Sequence, residues 1–311
     1  MSLDKNPLTT PLATVLARAG EVILGKEPQI RLAMACILAR GHLLIEDVPG
    51  VGKTTLSHVI ATLLGLQYQR IQFTSDLLPA DIVGVSIFER DSGVFRFHPG
   101  PVFSQIILAD EINRASPKAQ SALLEAMEEH QVTADGKTMK LPEPFFVIAT
   151  QNPSHQIGTF PLPESQLDRF LMRIKLGYPD QAAERALLKG EDRRDLIARL
   201  TPAMSAAQLQ ALQNAAPLIH VSDALIDYVQ ALVNHSREAA RYEMGLSPRA
   251  GLALMRASQA WALMAGRAQV LPEDVQAVAP AVVGHRLRAV TSGETKILDV
   301  AAELIRNVAI P

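Results

Sequence analysis

Glu46-Asp47-Val48-Pro49-Gly50-Val51-Gly52-Lys53-Thr54-Thr55 is the stretch on which the fold turns. An apolar run, His42–Glu46, leads into it, and apolar positions at helical spacing (Leu56, Val59, Ile60, Leu63, Leu64) lead out of it. A Gly-rich turn between a strand and a helix is the context that a phosphate-binding loop requires. Gly50 and Gly52 remove side chains, so backbone N–H groups can wrap a polyphosphate, and the helix N-terminus that follows adds partial positive charge. Lys53 can neutralise β- and γ-phosphates, and the Thr54 hydroxyl can ligate Mg²⁺. Pro49, Val51 and Thr55 complete the expected turn. One position departs from the usual pattern, which opens with Gly where this chain has Asp47. The competing reading is a Gly-rich strand-to-helix turn with an incidental lysine.

Downstream, Ile106-Ile107-Leu108-Ala109-Asp110-Glu111 is an apolar run that ends in two acids. A buried strand of an open α/β sheet delivers such carboxylates to its C-terminal end, where these folds bind ligands. Asp110 would hold Mg²⁺ through water, and Glu111 would polarise an attacking water. Asn152, after the apolar run Phe145–Thr150, could orient that water, although Asn152-Pro153 alone is a turn dipeptide. Arg169 precedes the last apolar run, and Arg249 falls in the first turn of a helix announced by Ser247-Pro248. A bare Arg there opposes the helix dipole unless an anion compensates it. Taken singly, each Arg reads better as a solvated surface salt bridge.

Around these motifs, short apolar runs (His42–Glu46, Gln69–Phe73, Ile106–Asp110, Phe145–Thr150, Phe170–Leu176) alternate with helical patterns. That alternation predicts a parallel sheet of five strands covered on both faces by helices. Beyond Gly177-Tyr178-Pro179-Asp180 the chain is Ala- and Leu-rich, with helix starts at Ser205-Ala206-Ala207-Gln208 and Ser247-Pro248. The expected division is therefore an α/β core over residues 1–178 and an all-helical domain over 179–311. The 311 residues carry 48% hydrophobic and 20% charged side chains, ordinary for a globular chain. A net charge of −2 supplies no global positive field for a polyanion. The single cysteine, Cys36, sits in an apolar stretch and excludes a disulfide framework. Met1–Pro7 lacks the marks of a signal peptide, and no apolar run reaches the length of a membrane span, so the expected location is cytoplasmic. The eight histidines show no metal-ligand spacing, and no nucleophile elbow or Cys/His pairing is present.

Together these segments resemble the MoxR family of AAA+ ATPases. The likeness rests on Asp47–Thr54, on Asp110-Glu111-Ile112-Asn113-Arg114-Ala115 through Leu123-Leu124-Glu125-Ala126-Met127-Glu128-Glu129, on Ala149-Thr150-Gln151-Asn152-Pro153, and on Leu162-Pro163-Glu164 to Asp168-Arg169-Phe170. It covers nearly the whole chain from Gly25 onward. The resemblance implies an AAA+ core with a helical lid, ATP and Mg²⁺ as cofactors, and the Walker A motif at Gly50–Thr55. It implies Walker B at Asp110-Glu111, sensor 1 at Asn152, the arginine finger at Arg169 and sensor 2 at Arg249. Val22-Ile23-Leu24-Gly25 resembles the part of AAA+ proteins that packs on adenine, with Ile23 and Gly25 the residues expected to touch it. The family resemblance also accommodates an acid at Asp47.

Two β-hairpins are expected to interrupt the core. Val85–Glu89 and Val94–Phe97 flank Arg90-Asp91-Ser92-Gly93, and Gln131–Thr133 and Thr138–Leu141 flank Ala134-Asp135-Gly136-Lys137. The first falls where helix-2-insert AAA+ proteins carry their insertion. Such hairpins grip a client in ring ATPases, yet Phe88, Phe95 and Phe97 read equally as core. The resemblance implies a homo-oligomer, a hexamer, that remodels or activates a protein client beside a von Willebrand factor A-domain partner. The alternative is a nucleic-acid-translocating ring of the minichromosome maintenance type. Near-neutral charge and mixed-sign hairpin tips (Glu89, Arg90, Asp91; Asp135, Lys137) disfavour it.

Overall fold

Alternation of apolar side chains along the strands explains the layered architecture. In the computed structural model, Ile106 and Leu108 face one hydrophobic layer, while Ile107 and Ala109 face the other. Successive strand residues point to opposite faces, so a strand apolar at every position must be covered on both. The structure describes residues 9–91, 93–152, 159–238, 242–287, 290 and 297–310. Met1–Pro7, Ser92 at the first hairpin tip, and Pro153 with the start of the loop after it lie outside the described residues.

The strands are β1 (Leu43–Glu46), β2 (Tyr68–Gln72), β3 (Gly84–Glu89), β4 (Val94–Pro99), β5 (Ile106–Asp110), β6 (Gln131–Ala134), β7 (Lys137–Lys140), β8 (Phe146–Gln151) and β9 (Met172–Ile174). Five of them form one sheet in the order β2-β5-β8-β1-β9, with every pairing parallel. This is the five-stranded α/β sheet that the sequence predicts. β3 pairs with β4 and β6 with β7 as separate antiparallel hairpins, also as expected.

The helices are α1 (Thr9–Val22), α2 (Glu27–Leu38), α3 (Lys53–Leu63), α4 (Pro79–Val83), α5 (Pro117–Glu129), α6 (Glu164–Leu167), α7 (Gln181–Lys189), α8 (Arg193–Ala198), α9 (Ala206–Ala215), α10 (Asp223–Glu238), α11 (Pro248–Met264), α12 (Pro272–Val283) and α13 (Ile297–Asn307). The buried sides of α1, α2 and α3 join the larger layer, which continues without a break into α9–α12, and α5 covers the opposite face. Ser116 caps α5, Ser205 forms a capping box with Gln208, and Ser247 caps α11 with Pro248 at its first position. Each cap satisfies an orphan N–H of the first turn. Cys36 is fully buried. No helix among the described residues is long and apolar enough to cross a membrane.

Candidate active site

β1 lies between β8 and the edge strand β9 and ends at Glu46, and the loop leaving its C-terminal end reaches α3 through two left-handed glycines, Gly50 (φ 85°) and Gly52 (φ 94°). Glycine is required there for backbone reasons, since an added Cβ would meet no atom of this chain within 4 Å at either position. That open space is a concavity lined by backbone, and Gly52 offers α3 no side-chain cap. First-turn N–H groups are thereby left for an anion.

Lys53 opens the helix, only 8% exposed, and its Nζ donates to the Asp47 carbonyl at 2.5 Å and to Asn152 Oδ1 at 3.1 Å. Burial lowers its pKa, opposed by the nearby charges of Asp47, Asp110 and Glu111. Asp47 also accounts for the departure from the usual motif. Its carboxylate accepts from Val48 N at 2.8 Å and from Gly177 N at 2.6 Å, tying the start of the loop to the chain leaving β9. A glycine could not make that tie. Thr54 points from the first turn of α3 as an exposed hydroxyl, and Thr55 lines the adjoining cleft.

β5 and β8, neighbours in the sheet, bring the acids and the amide to the same edge. Asp110 Oδ1 accepts from Thr150 Oγ1 at 2.6 Å, and Oδ2 takes Arg70 Nε at 3.0 Å and Nη2 at 2.7 Å. Glu111 adopts φ 57°, left-handed and unusual for a residue with a side chain. Its N–H donates to Thr150 Oγ1 at 2.9 Å, which helps to hold it there. The turn aims its carboxylate back over the sheet edge, where Oε1 accepts from Asn152 Nδ2 at 2.8 Å. Oε2 accepts from Gln72 Nε2 at 3.2 Å and pairs with Arg114 Nε at 3.1 Å. The Asn152 amide thus touches Lys53 with its oxygen and Glu111 with its nitrogen. Lysine, two acids and an amide converge beside a helix N-terminus without a side-chain cap, a set suited to polarising water against a phosphate.

Next to this edge lies a cleft of about 400 Å³ lined by Val22, Ile23, Gly50, Val51, Leu187 and Leu188 among others. It is mixed apolar and polar, of a size to take a planar base. Gly25 (φ 67°) closes it by near contact, because a Cβ there would stand 3.1 Å from that of Ala183 on α7. Lys26 Nζ donates to the Tyr178 carbonyl at 2.8 Å and fastens the same corner. Gly25 therefore serves the packing of α7 on the N-terminal segment, while Ile23 and Val22 face the cleft.

Arg169 and Arg249 lie elsewhere. The His42 ring, at the N-terminal end of β1, stands 3.3 Å from the Met127 carbonyl, which puts the end of α5 at that edge of the sheet. Arg249 Nη2 reaches both carboxylate oxygens of the next residue, Glu128, at 2.9 and 2.8 Å, and Arg169 Nε lies 3.8 Å from it. Arg169 itself precedes β9, whose first residue Met172 pairs with Leu43 in parallel. At about 3.3 Å per residue, β1 alone separates this edge from the phosphate loop by roughly 10 Å, before the loop is counted. The arginines therefore gather at the edge opposite Lys53. Sequence reasoning left Arg249 without a partner in its helix turn, and Glu128 supplies one. It also missed Arg70, Gln72 and Thr150, whose only sequence signal is polar side chains at strand positions near the C-terminal edge.

Residues 42–172 match the model of the ATPase family associated with various cellular activities (AAA). Residues 234–305 match the AAA lid domain. The chain is 44% identical over 302 residues to the uncharacterised protein YeaC of Bacillus subtilis, covering 97% of this chain and 93% of the relative. It is 39% identical to chaperone MoxR1 of Mycobacterium tuberculosis, covering 93% of this chain and 80% of that protein. A crystal structure of a candidate ATPase from Cytophaga hutchinsonii aligns with a TM-score of 0.89 at 36% identity, over 98% of this chain and 96% of the other.

Proposed function

This chain belongs to the MoxR family of AAA+ ATPases, and we propose that it works as a homo-hexameric ring with ATPase sites shared between neighbours. It binds nucleotide and hydrolyses ATP, as its AAA domain implies. In our reading the core spans residues 1–178 and the helical lid 179–311, in keeping with the matched AAA and lid regions.

Within one subunit, Lys53 and the N–H groups of Gly50 to Thr55 bind the β- and γ-phosphates, with Pro49 and Val51 shaping the turn; Ile23 borders the base beside Val22, and Gly25 fixes the corner behind them. Glu111 accepts the proton of the lytic water, and Asn152 fixes both that carboxylate and the γ-phosphate side of Lys53. Thr54 and Asp110 are the residues that would hold Mg²⁺, a hydroxyl and a carboxylate being the oxygen donors a hard cation prefers. When bound, Mg²⁺ neutralises charge across the β- and γ-phosphates.

The observation that carries the shared site is the separation of Arg169 and Arg249 from their own phosphate loop, at the opposite edge of a parallel sheet. Two arginines outside any reach of the nucleotide in their own subunit can stabilise a transition state only in the next one. The work done by hydrolysis is, in our reading, chaperone-like. The ring remodels or activates a protein client, for metal or cofactor insertion or complex maturation, beside a von Willebrand factor A-domain partner. A relative named as a chaperone supports this, as does the β3–β4 hairpin, which leaves Phe88 and Phe95 half or more exposed and free to meet a client.

Dilution tests the ring. Turnover per subunit is expected to fall as concentration drops, and ATP is expected to raise the sedimenting mass. Undiminished turnover from a species that sediments as a monomer would overturn the shared site.

A further inference from the structure

At the edge opposite the phosphate loop, a cavity of about 210 Å³ is walled by Arg40, Arg169, Arg249, Arg256 and Arg286, with Glu128 and Asp168 as its acids. The two acids are used differently. Asp168 is held chiefly by its own subunit: Arg286, 6% exposed at its side chain, donates Nε to Asp168 Oδ1 at 2.6 Å and Nη2 to the Asp168 and Phe170 carbonyls at 3.1 and 2.8 Å, while Asp168 Oδ2 stands 3.9 Å from Arg249 Nε. Glu128 stands 34% exposed at the helix end and faces outward to Arg249, itself 52% exposed, with Arg169 at 3.8 Å. Arg249 Nη2 is shared between both Glu128 oxygens, a charge-assisted contact that leaves the other face of the guanidinium fork unused by this carboxylate.

We propose that Glu128 is a resident stand-in for the neighbour's γ-phosphate: it holds Arg249 and Arg169 gathered in the subunit on its own and yields them when a nucleotide-loaded neighbour docks. The inference rests on the shared-site reading and adds a regulator to it. Three features support it. Among the described residues, the hydrogen-bond and ion-pair partners of the Glu128 carboxylate are these two arginines. Its carboxyl is held below the usual range chiefly by the Arg249 hydrogen bond, so it stays anionic and competes with any incoming anion. The pair is solvent-accessible, and an exposed ion pair is weak enough to exchange for a dianion. Glu128 therefore acts through the arginines as a positioning residue, screening the arginine-rich face until a better anion arrives.

The latch can be read without a ring. In a Lys53→Ala background, which removes the phosphate-loop charge, tripolyphosphate binding to the subunit is measured by calorimetry with and without Glu128→Gln. An exposed pair of this kind is worth about a twofold to fivefold change, so Glu128→Gln is expected to bind tripolyphosphate about twofold to fivefold tighter. Adding Arg249→Ala should erase that difference, which a merely structural effect of the Gln would not do. Equal affinity with and without Glu128, or a gain that survives Arg249→Ala, overturns the latch. Sedimentation with a slowly hydrolysed ATP analogue then tests the shared site itself. With the latch present, Glu128→Gln should assemble at a several-fold lower protein concentration than the wild type. Failure of the wild type itself to assemble would instead count against the shared site while leaving the tripolyphosphate ratio to decide the latch.

Discussion

Lys53 shows how one residue is held ready for a ligand. Burial works against its charge, and Asp47, Asp110 and Glu111 work for it, so the ammonium stays poised among acids that a polyphosphate can replace. Lys53→Ala is expected to lose ATP binding in a calorimetric titration while melting near the wild-type temperature, because it removes a point charge and little packing. Glu111→Gln can keep the hydrogen bond from Asn152 while losing basicity and the exposed Arg114 ion pair, so it should bind ATP normally and turn over at least 100-fold more slowly. Normal binding by the Lys53 variant would mean that the phosphate loop is misassigned. His42 sets a different expectation. Its pKa falls from 6.5 to about 4, first through burial and then through the charge of His130. The folded-state value is depressed, so between these values the unfolded chain takes up a proton that the folded chain refuses. Stability present above pH 6.5 is therefore lost as pH falls toward 4, by up to about 3 kcal/mol from this group. His285, also lowered by burial and by Arg286 and Arg173, steepens the same window. Urea unfolding at pH 7.5, 5.5 and 4.5 reads the slope. His42→Gln, which can still accept from Val147 N and donate to the Met127 carbonyl, should flatten it. A slope unchanged by His42→Gln would remove this residue from the account.

Among the elements, the β3–β4 hairpin is the one whose residues do least for the fold. Phe95 is 73% exposed and Phe88 50%, their rings 5.2 Å apart on the surface, and only Phe97 turns inward, against Phe103. Replacing Phe88 and Phe95 by Ser together should move the unfolding midpoint within the small range of surface changes, about 0.5 kcal/mol. Basal ATP turnover should stay unchanged, and stimulation by a client should be lost. A large drop in stability would return these rings to the core. The hairpin also marks the limit of what the sequence could say. Strand alternation in Val85–Glu89 and Val94–Phe97 announces the pairing, but the same alternation fits a covered hairpin and a naked one. Only the absence of a covering element tells them apart. The central strands were legible for the opposite reason, since Ile106–Asp110 and Phe146–Gln151 are apolar on both faces and admit no position but the middle of a sheet. Helix starts were legible through their caps, whose hydrogen bonds are local. The partners of Arg249 and Asp110 were not, because Glu128 and Arg70 reach them across more than a hundred residues in one case and from a neighbouring strand in the other.

At the scale of the whole molecule, the parallel sheet separates binding from completion. Its C-terminal edge carries Lys53, Asp110, Glu111 and Asn152, and its N-terminal edge carries Arg169 and Arg249. On the proposed shared-site reading, a subunit carries one half of an active site at each end, and a closed ring would satisfy every half at once. An arginine supplied in trans contributes about 10³–10⁵ in rate, or roughly 4–7 kcal/mol of transition-state stabilisation. Arg169→Ala should therefore bind ATP and assemble, yet lose nearly all turnover. Lys53→Ala should fail for the opposite reason, with its finger intact and its phosphate loop disabled. Neither variant alone has an interface with both halves. Mixed in one ring, an Arg169→Ala subunit offers its intact loop to the intact finger of a Lys53→Ala neighbour. In a random equal mixture about a quarter of interfaces have that composition, so recovery should approach a quarter of wild-type turnover if sites fire independently. The titration of one variant against the other should peak at equal proportions. If each subunit completed its own site, every subunit in the mixture would remain crippled, and the mixture would be as inactive as its two components at every ratio.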